Sequence, residues 1–138
     1  MNEPRITEEM ISVLVDRFYA RVRSDAIIGL VFAERISDWP PHLERMKAFW
    51  SSVMLTSGRY KGRPAAAHAL VPGIRPWMFA RWLALFESTL NDLFEPDIAA
   101  AFMLRANRMS ESLQAALFRR SGPPLKPVAG NPQIGALR

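Results

Sequence analysis

Two histidines and the absence of cysteine restrict the chemistry that this chain of 138 residues can perform. His68 lies in the short, alanine-rich segment PAAAHALVPG, and His42 lies in DWPPHLERMKAFW. Disulfides, iron–sulfur clusters and thiolate zinc sites are excluded, because each requires cysteine. Two histidines are too few for a zinc site without carboxylate ligands that the sequence does not place. The spacing shows no Ser-His-Asp arrangement, so we predict no catalytic residue.

A haem site needs only one protein nitrogen. Haem brings four ligands of its own, and the protein adds one proximal histidine. The remainder of such a site is a large apolar slot with one or two polar donors, and 8 Phe, 4 Trp and 7 Met provide enough bulky side chains to build it. A packed or surface histidine on a short helix is the interpretation that the setting of His68 favours when taken alone, so the haem interpretation needs further support.

Helical periodicity along the chain predicts an all-α fold that would position these residues. The first helix follows Thr7 as N-cap, with Glu8 and Glu9 in its first turn, where acidic side chains suit the helix dipole. A short second helix is predicted to end near Phe32 and a third to open after Asp38 and Trp39. The inward stripe of the first helix comprises Ile11, Leu14, Val15, Phe18, Tyr19 and Val22.

The later helices are marked by proline and glycine. Gly58 is predicted to stop the third helix, and Pro76 and Pro96 to start two more. The AAAHAL segment, between Gly58 and Pro76, allows about two helical turns, since proline and glycine follow it. The inward stripe of the third helix comprises His42, Met46, Phe49, Trp50 and Val53.

The domain organisation is predicted to be one globular domain over residues 1–120, followed by a tail over residues 121–138. The tail is rich in proline and glycine and lacks periodicity, which predicts disorder. The polar N-terminus and the lack of a run of about 20 apolar residues predict a cytoplasmic protein with no membrane contact. Net charge is +5, but the basic residues are scattered, so we expect no nucleic-acid partner. A basic nucleic-acid-binding bundle remains the weaker alternative.

Four segments follow one another in this order: FYARVRSDAIIGLVF, HLERMKAFWSSVMLTSGRYKGRP, HALVPG and FARWLALFESTL. Together they resemble the truncated haemoglobins, and most closely their third group (group III), a family of bacterial globins. The resemblance covers about residues 5–119. Gly-Gly pairs, which mark the other truncated groups, do not occur in this chain. The resemblance implies a truncated (2-over-2) globin fold with a very short proximal helix, enclosing haem b (iron protoporphyrin IX).

The resemblance also implies roles for individual residues. His68 corresponds to the proximal ligand of the iron, and Tyr19 to a distal tyrosine whose hydroxyl donates to bound oxygen. Trp82 corresponds to a distal tryptophan, whose indole N–H can only donate. Phe32 is expected to pack flat against the haem. Each of the last three is also compatible with ordinary core packing.

Further residues are expected to line the distal wall or its back, namely His42, Met46, Phe49 and Trp50. Arg45 is a candidate partner for a haem propionate, as are Arg59 and Arg63, and Tyr60 could add a hydroxyl. A solvated position is equally open for the arginines. The segment SDWPPH before His42 acquires no role from the resemblance, and whether His42 binds the iron in the ligand-free state stays open.

The function implied by the resemblance is binding of oxygen, nitric oxide or carbon monoxide at a His-ligated haem iron. Nitric oxide dioxygenation and peroxidase-like turnover both fit a site with strong distal donors, with a reductase as a possible partner. We expect a monomer or weak dimer. The alternative is a haem-free α-helical interaction module that retains the globin fold.

Overall fold

The computed structural model describes residues 5–62 and 74–118, and these ranges form five α-helices. No strand occurs within them, so the predicted all-α class is confirmed. The predicted short helix around His68, Arg63 and the tail after residue 120 lie outside the described residues. The helices are α1 (Glu8–Ser24), α2 (Gly29–Arg35), α3 (Trp39–Leu55), α4 (Pro76–Leu93) and α5 (Pro96–Phe118).

Helix α1 is the central element, since it packs against α2, α3 and α4, while α5 packs against α3 and α4. Its N-terminus forms as predicted. The Thr7 hydroxyl accepts a hydrogen bond of 3.1 Å from the backbone N–H of Met10. The predicted inward stripe is buried at every position, with Tyr19 the most exposed at 4%. Burial of a continuous apolar stripe accounts for the position of α1 between its neighbours.

Helix α2 extends beyond its predicted end. It starts at Gly29, because the Asp25 carboxylate accepts hydrogen bonds from the backbone N–H groups of Ile27 and Ile28 at 3.0 and 2.9 Å and holds a turn after α1. A Cβ at position 29 would lie 3.1 Å from the carbonyl oxygens of Val22 and Arg23, so glycine permits a close approach to α1. The helix ends at Arg35, beyond the predicted end near Phe32.

Helix α3 begins at Trp39 and ends before the predicted stop at Gly58. Thr56 adopts the left-handed conformation, with φ 53° and ψ 37°, and its N–H donates to the carbonyl of Ser52 at 3.1 Å. This conformation terminates the helix at Leu55. Helices α4 and α5 begin at Pro76 and Pro96, as predicted.

An aromatic stack connects the core to the inner face of α4. The rings of Trp50 and Phe86 are stacked at 5.0 Å between centroids, and Trp82 stacks on Phe86 at 5.1 Å. Trp50 and Phe86 are each 1% exposed, so the stack is held on a fully packed base. Trp82, half-buried at the outer end of this stack, is thereby fixed in position.

None of the helices in the described ranges is long and apolar enough to cross a lipid bilayer.

Candidate functional site

The helices enclose a cavity of about 410 Å³, within the range of small-molecule and cofactor sites. All five helices contribute to its wall. Of the predicted site residues in the described ranges, all but Arg59 lie on it, whereas His68 and Arg63 are outside those ranges. The predicted residues that line it are Tyr19, Phe32, His42, Arg45, Met46, Phe49, Trp50, Tyr60 and Trp82.

Three polar side chains converge on this largely apolar cavity. Tyr19 comes from α1, His42 from the first turn of α3, and Trp82 from α4. The Tyr19 and His42 rings meet edge to face, with centroids 5.4 Å apart and planes at 89°. The Trp82 side chain lowers the pKa of the Tyr19 phenol, which is the effect of a donor near the phenol oxygen, since an indole N–H can only donate.

The Tyr19 phenol is held in its neutral form. Burial raises its pKa well above the ordinary value of 10, since a phenolate would lose its hydration; the Trp82 side chain lowers the pKa by less. The hydroxyl therefore keeps its proton across the physiological range. It is a hydrogen-bond donor, not a base, on the cavity wall.

Phe18 and its neighbours fix the orientation of the donors. The Phe18 ring contacts Tyr19 at 4.9 Å and Trp82 at 5.0 Å, both edge to face, and it is only 1% exposed. A side chain locked between two aromatic neighbours gives them little freedom to change rotamer. The two side chains are thus preorganised by packing.

An ion pair ties α4 to the turn that precedes α2. Arg81, next to Trp82 in the chain, donates from Nε to Asp25 Oδ1 at 3.1 Å and from a terminal nitrogen to the same oxygen at 2.5 Å. The Asp25 side chain is 5% exposed. The hydrogen bonds from Arg81 lower the pKa of Asp25 to about 2. This ion pair connects the turn before Ile28 to α4, the helix that carries Trp82. Ile28 itself lines the cavity.

The loop after α3 is attached to α1 by a polar cluster at the other side of the site. Glu8 accepts hydrogen bonds from the Ser51 hydroxyl and from Arg59, both at 2.6 Å. The backbone N–H of Tyr60 donates to the Ser52 hydroxyl at 2.8 Å, and the Tyr60 ring contacts Phe49 at 5.2 Å. Tyr60 is therefore held on the cavity wall. Arg59 pairs with Glu8 and is not among the lining residues, which weakens it as a partner for a propionate.

Sequence reasoning missed Arg35 as a site residue, because it predicted that α2 ends near Phe32. It also did not assign to the site the α5 residues Met109 and Leu113. Their place on the cavity wall depends on the packing of α5 against α3 and α4, for which a single sequence gives no local signal. Lining residues without a predicted role are Ile28, Val31, Arg35, Ile36, Ile74, Met78, Phe79, Met109, Ser110 and Leu113.

The cavity fits the chemistry of a haem. Its walls are mostly aliphatic and aromatic, as a porphyrin requires, and the three polar side chains Tyr19, His42 and Trp82 share one apolar space. Arg35 and Arg45 line the cavity and are also exposed, so they lie where it meets solvent and can receive the two carboxylates of such a group. Residues 5–62 and 74–118 contain no group of three His, Asp or Glu that could hold a bare metal ion.

Comparisons with known proteins agree with this geometry. The chain matches no protein-family model. It is 30% identical over 121 residues to the group 3 truncated haemoglobin ctb of Campylobacter jejuni, a match that covers 85% of this chain and 95% of the relative. The crystal structure of a group III truncated haemoglobin from Campylobacter jejuni superposes with a TM-score of 0.79 at 29% identity, covering 89% of this chain and all of that one. The chain therefore belongs to the group 3 truncated haemoglobins, and the resemblance and the truncated globin fold predicted from the sequence are confirmed.

Proposed function

We propose that this globin holds a haem b in the cavity, with His68 as the proximal ligand, and binds oxygen or another diatomic ligand beside Tyr19, Trp82 and His42. The observation that carries the proposal is the convergence of these three polar side chains on one apolar cavity. When bound, haem supplies an iron at which a diatomic ligand can bind reversibly. His68 rests on the family resemblance alone, since it lies outside the described residues.

The cavity walls would hold the haem by apolar burial and by pairing with its carboxylates. Phe32, Met46 and Phe49 present apolar surface, whose removal from water favours binding by about 25 cal/mol per Å². Arg45 and Arg35 would pair with the propionates, in a charge-assisted geometry that an arginine fork suits.

The distal side chains would stabilise a polar ligand by donating hydrogen bonds in a dry space. Tyr19 carries the proton at its hydroxyl and is kept neutral by burial. The Trp82 side chain lowers the pKa of the phenol, and a lower pKa makes the phenol a stronger donor. Tyr19 is therefore the principal donor in this proposal. Trp82 acts on Tyr19, and His42 is the third polar group of the wall.

Nitric oxide dioxygenation or peroxidase-like turnover would fit the same donors, with a reductase as electron donor and oxygen, nitric oxide or carbon monoxide as ligands. We expect the protein to act in the cytoplasm as a monomer or weak dimer. These finer assignments follow from the family resemblance.

A haem titration of the purified full chain tests the proposal. We expect saturation at one haem per chain with a sharp Soret band. Met46→Trp overfills the cavity wall, and overpacking costs about 1–3 kcal/mol, so haem affinity should fall by roughly five- to 150-fold. Met103→Trp is the matched control, since Met103 is half-buried against the core but does not line the cavity. Equal affinities of both variants and the natural chain would contradict this location for the haem.

A further inference from the structure

Trp39 belongs to the sequence motif SDWPPH and contacts two of the polar side chains of the site. Its ring contacts His42 at 5.4 Å, with planes at 89°, and Tyr19 at 6.0 Å, with planes at 49°. Tyr19 and His42 both line the cavity, whereas Trp39 does not. Trp39 therefore packs behind both rings, on the side away from the cavity.

A second, more open cleft lies on the other side of Trp39. Ile36 belongs to the walls of both the cavity and this cleft. Trp39, with Ile36, thus forms part of the partition between the cavity and a solvent-facing surface. The cleft is lined by Arg23, Gly29, Ala33, Ile36, Ser37 and Trp39.

Arg23 holds the outer face of this partition. Its guanidinium carbon lies 4.5 Å from the centre of the Trp39 ring, which is within the range of a cation–π interaction. Arg23 belongs to the last turn of α1, and Tyr19 lies four residues before it, on the same helix. One helix therefore supplies both the ring that Trp39 supports and the cation that covers Trp39.

The local sequence explains why Trp39 reaches this position. It is the first residue of α3, and Pro40 and Pro41 follow in the first turn, where the missing N–H groups cost little and fixed φ angles stiffen the chain. His42 comes three residues later, and residues three apart in a helix lie on the same face. The Trp39–His42 contact is therefore built into the start of α3.

We propose that Trp39 is a positioning residue: clamped by Arg23, it holds the Tyr19 and His42 rings against the cavity and closes the cavity toward the outer cleft. The relevance of this positioning to a diatomic ligand rests on the proposed function, but the packing of Trp39 on Tyr19 and His42 does not require haem. Loss of the Trp39 ring should leave the His42 imidazole accessible from the cleft.

Diethyl pyrocarbonate labelling tests this accessibility, because the reagent acylates exposed imidazole nitrogens. Tryptic cleavage places His42 in the peptide 36–45 and His68 in a separate peptide, so His42 is read separately, and free N-acetylhistidine in the same mixture serves as the internal reference. In the full chain as purified, we expect Trp39→Leu to label His42 about tenfold faster or more, because two aromatic contacts are lost. Trp39→Phe, which retains a ring, should stay closer to the natural chain than to Trp39→Leu.

Two further variants serve as controls. Trp77→Ala removes an exposed tryptophan from the first turn of α4 and should leave His42 labelling unchanged. Arg23→Gln should accelerate it about two- to fivefold by removing the cation, whereas Arg17→Gln, on the exposed surface of the same helix, should not. If Trp39→Leu loses its helical circular dichroism, the two arginine variants decide.

Labelling of His42 at the natural rate in folded Trp39→Leu would overturn the proposal, as would equal rates in Arg23→Gln and Arg17→Gln. If the chain fails to bind haem, the proposed function is contradicted, whereas the labelling experiment still decides whether Trp39 positions His42.

Discussion

Tyr19 on α1 and Trp82 on α4 both pack edge to face on the Phe18 ring, with centroids 4.9 and 5.0 Å from it, and both line the cavity. The Trp82 side chain also lowers the pKa of the Tyr19 phenol, as a group that can only donate does. Two helices that are distant in sequence thus bring a phenol and an indole to one cavity wall. The phenol carries the proton that can be donated to a ligand. Because the Tyr19 pKa is raised by burial, that proton is retained at neutral pH.

Replacing Tyr19 should affect oxygen release more than any other distal substitution. A hydrogen bond is worth about 0.5–1.5 kcal/mol when neutral and about 1.5–3 when one partner is charged, and 1.36 kcal/mol is tenfold in rate. We expect Tyr19→Phe to speed oxygen dissociation from the ferrous protein by roughly ten- to a hundredfold. Trp82→Phe should have a smaller effect, and His42→Ala the smallest. Carbon monoxide, which is less polar when bound, should respond less.

Stopped-flow oxygen dissociation on the three ferrous variants decides the ranking. An unchanged rate in Tyr19→Phe would exclude Tyr19 as the main donor. A larger change in His42→Ala would assign that role to the histidine.

The Asp25–Arg81 ion pair should make stability depend on acid pH. The folded-state pKa of Asp25 is about 2, below its ordinary value of 3.8, so ionised Asp25 stabilises the fold. That stabilisation is complete above the ordinary pKa and is lost as the pH falls from about 3.8 toward 2. Asp25→Asn should therefore be less stable than the natural chain at pH 6, and the difference should shrink below pH 4.

Urea unfolding of both chains between pH 6 and pH 2 measures this difference. A gap that stays constant over the whole range would show that the carboxylate charge contributes nothing, and that the Asn variant acts through packing.

The two histidines should differ in their importance for haem. We expect His68→Ala to lower haem occupancy sharply or to leave a haem that is easily lost, because the resemblance assigns only His68 to the proximal segment. His42→Ala should retain its haem. Haem content per chain after desalting, from the absorption spectrum, measures both. Equal loss from the two variants would indicate a bis-histidine site, and loss from His42→Ala alone would reverse the assignment.

The C-terminal residues 121–138 should be dispensable for the site. Their composition offers too little apolar surface to offset the entropy lost on ordering. A chain that stops after Arg120 should fold and, with haem, show the absorption spectrum of the full chain. A shifted spectrum or failure to fold would show that these residues pack on the globin domain.

Local patterns in the sequence were sufficient to predict the inward stripe of α1, the Thr7 cap and the starts of α4 and α5. Helix periodicity, capping chemistry and proline geometry act within a few residues, so one sequence contains their signals. The boundaries of α2 could not be predicted in this way. They depend on the Asp25 carboxylate, which accepts from the turn and is held by Arg81 on a distant helix.

The site residues also divide into those with a local sequence signal and those whose position depends on contacts between distant helices. Tyr19, Phe49 and Trp50 lie on inward stripes that periodicity identified, and the family resemblance supplied their roles. Arg35 was not predicted, because its position on the cavity wall depends on where α2 ends. Met109 and Leu113 reach the cavity only through the packing of α5, and the placement of Trp39 behind Tyr19 and His42 depends on contacts between α1 and α3.

The absorption spectrum of the ferrous, haem-loaded protein, recorded with and without oxygen, tests the central claim most directly. We predict one haem per chain, a sharp Soret band, and a reversible change of the Soret and visible bands when oxygen is added and removed. A purified chain that takes up no haem, or a ferrous haem whose spectrum does not respond to oxygen before it oxidises, would contradict the account. The first of these results would favour a haem-free helical interaction module built on the same globin fold.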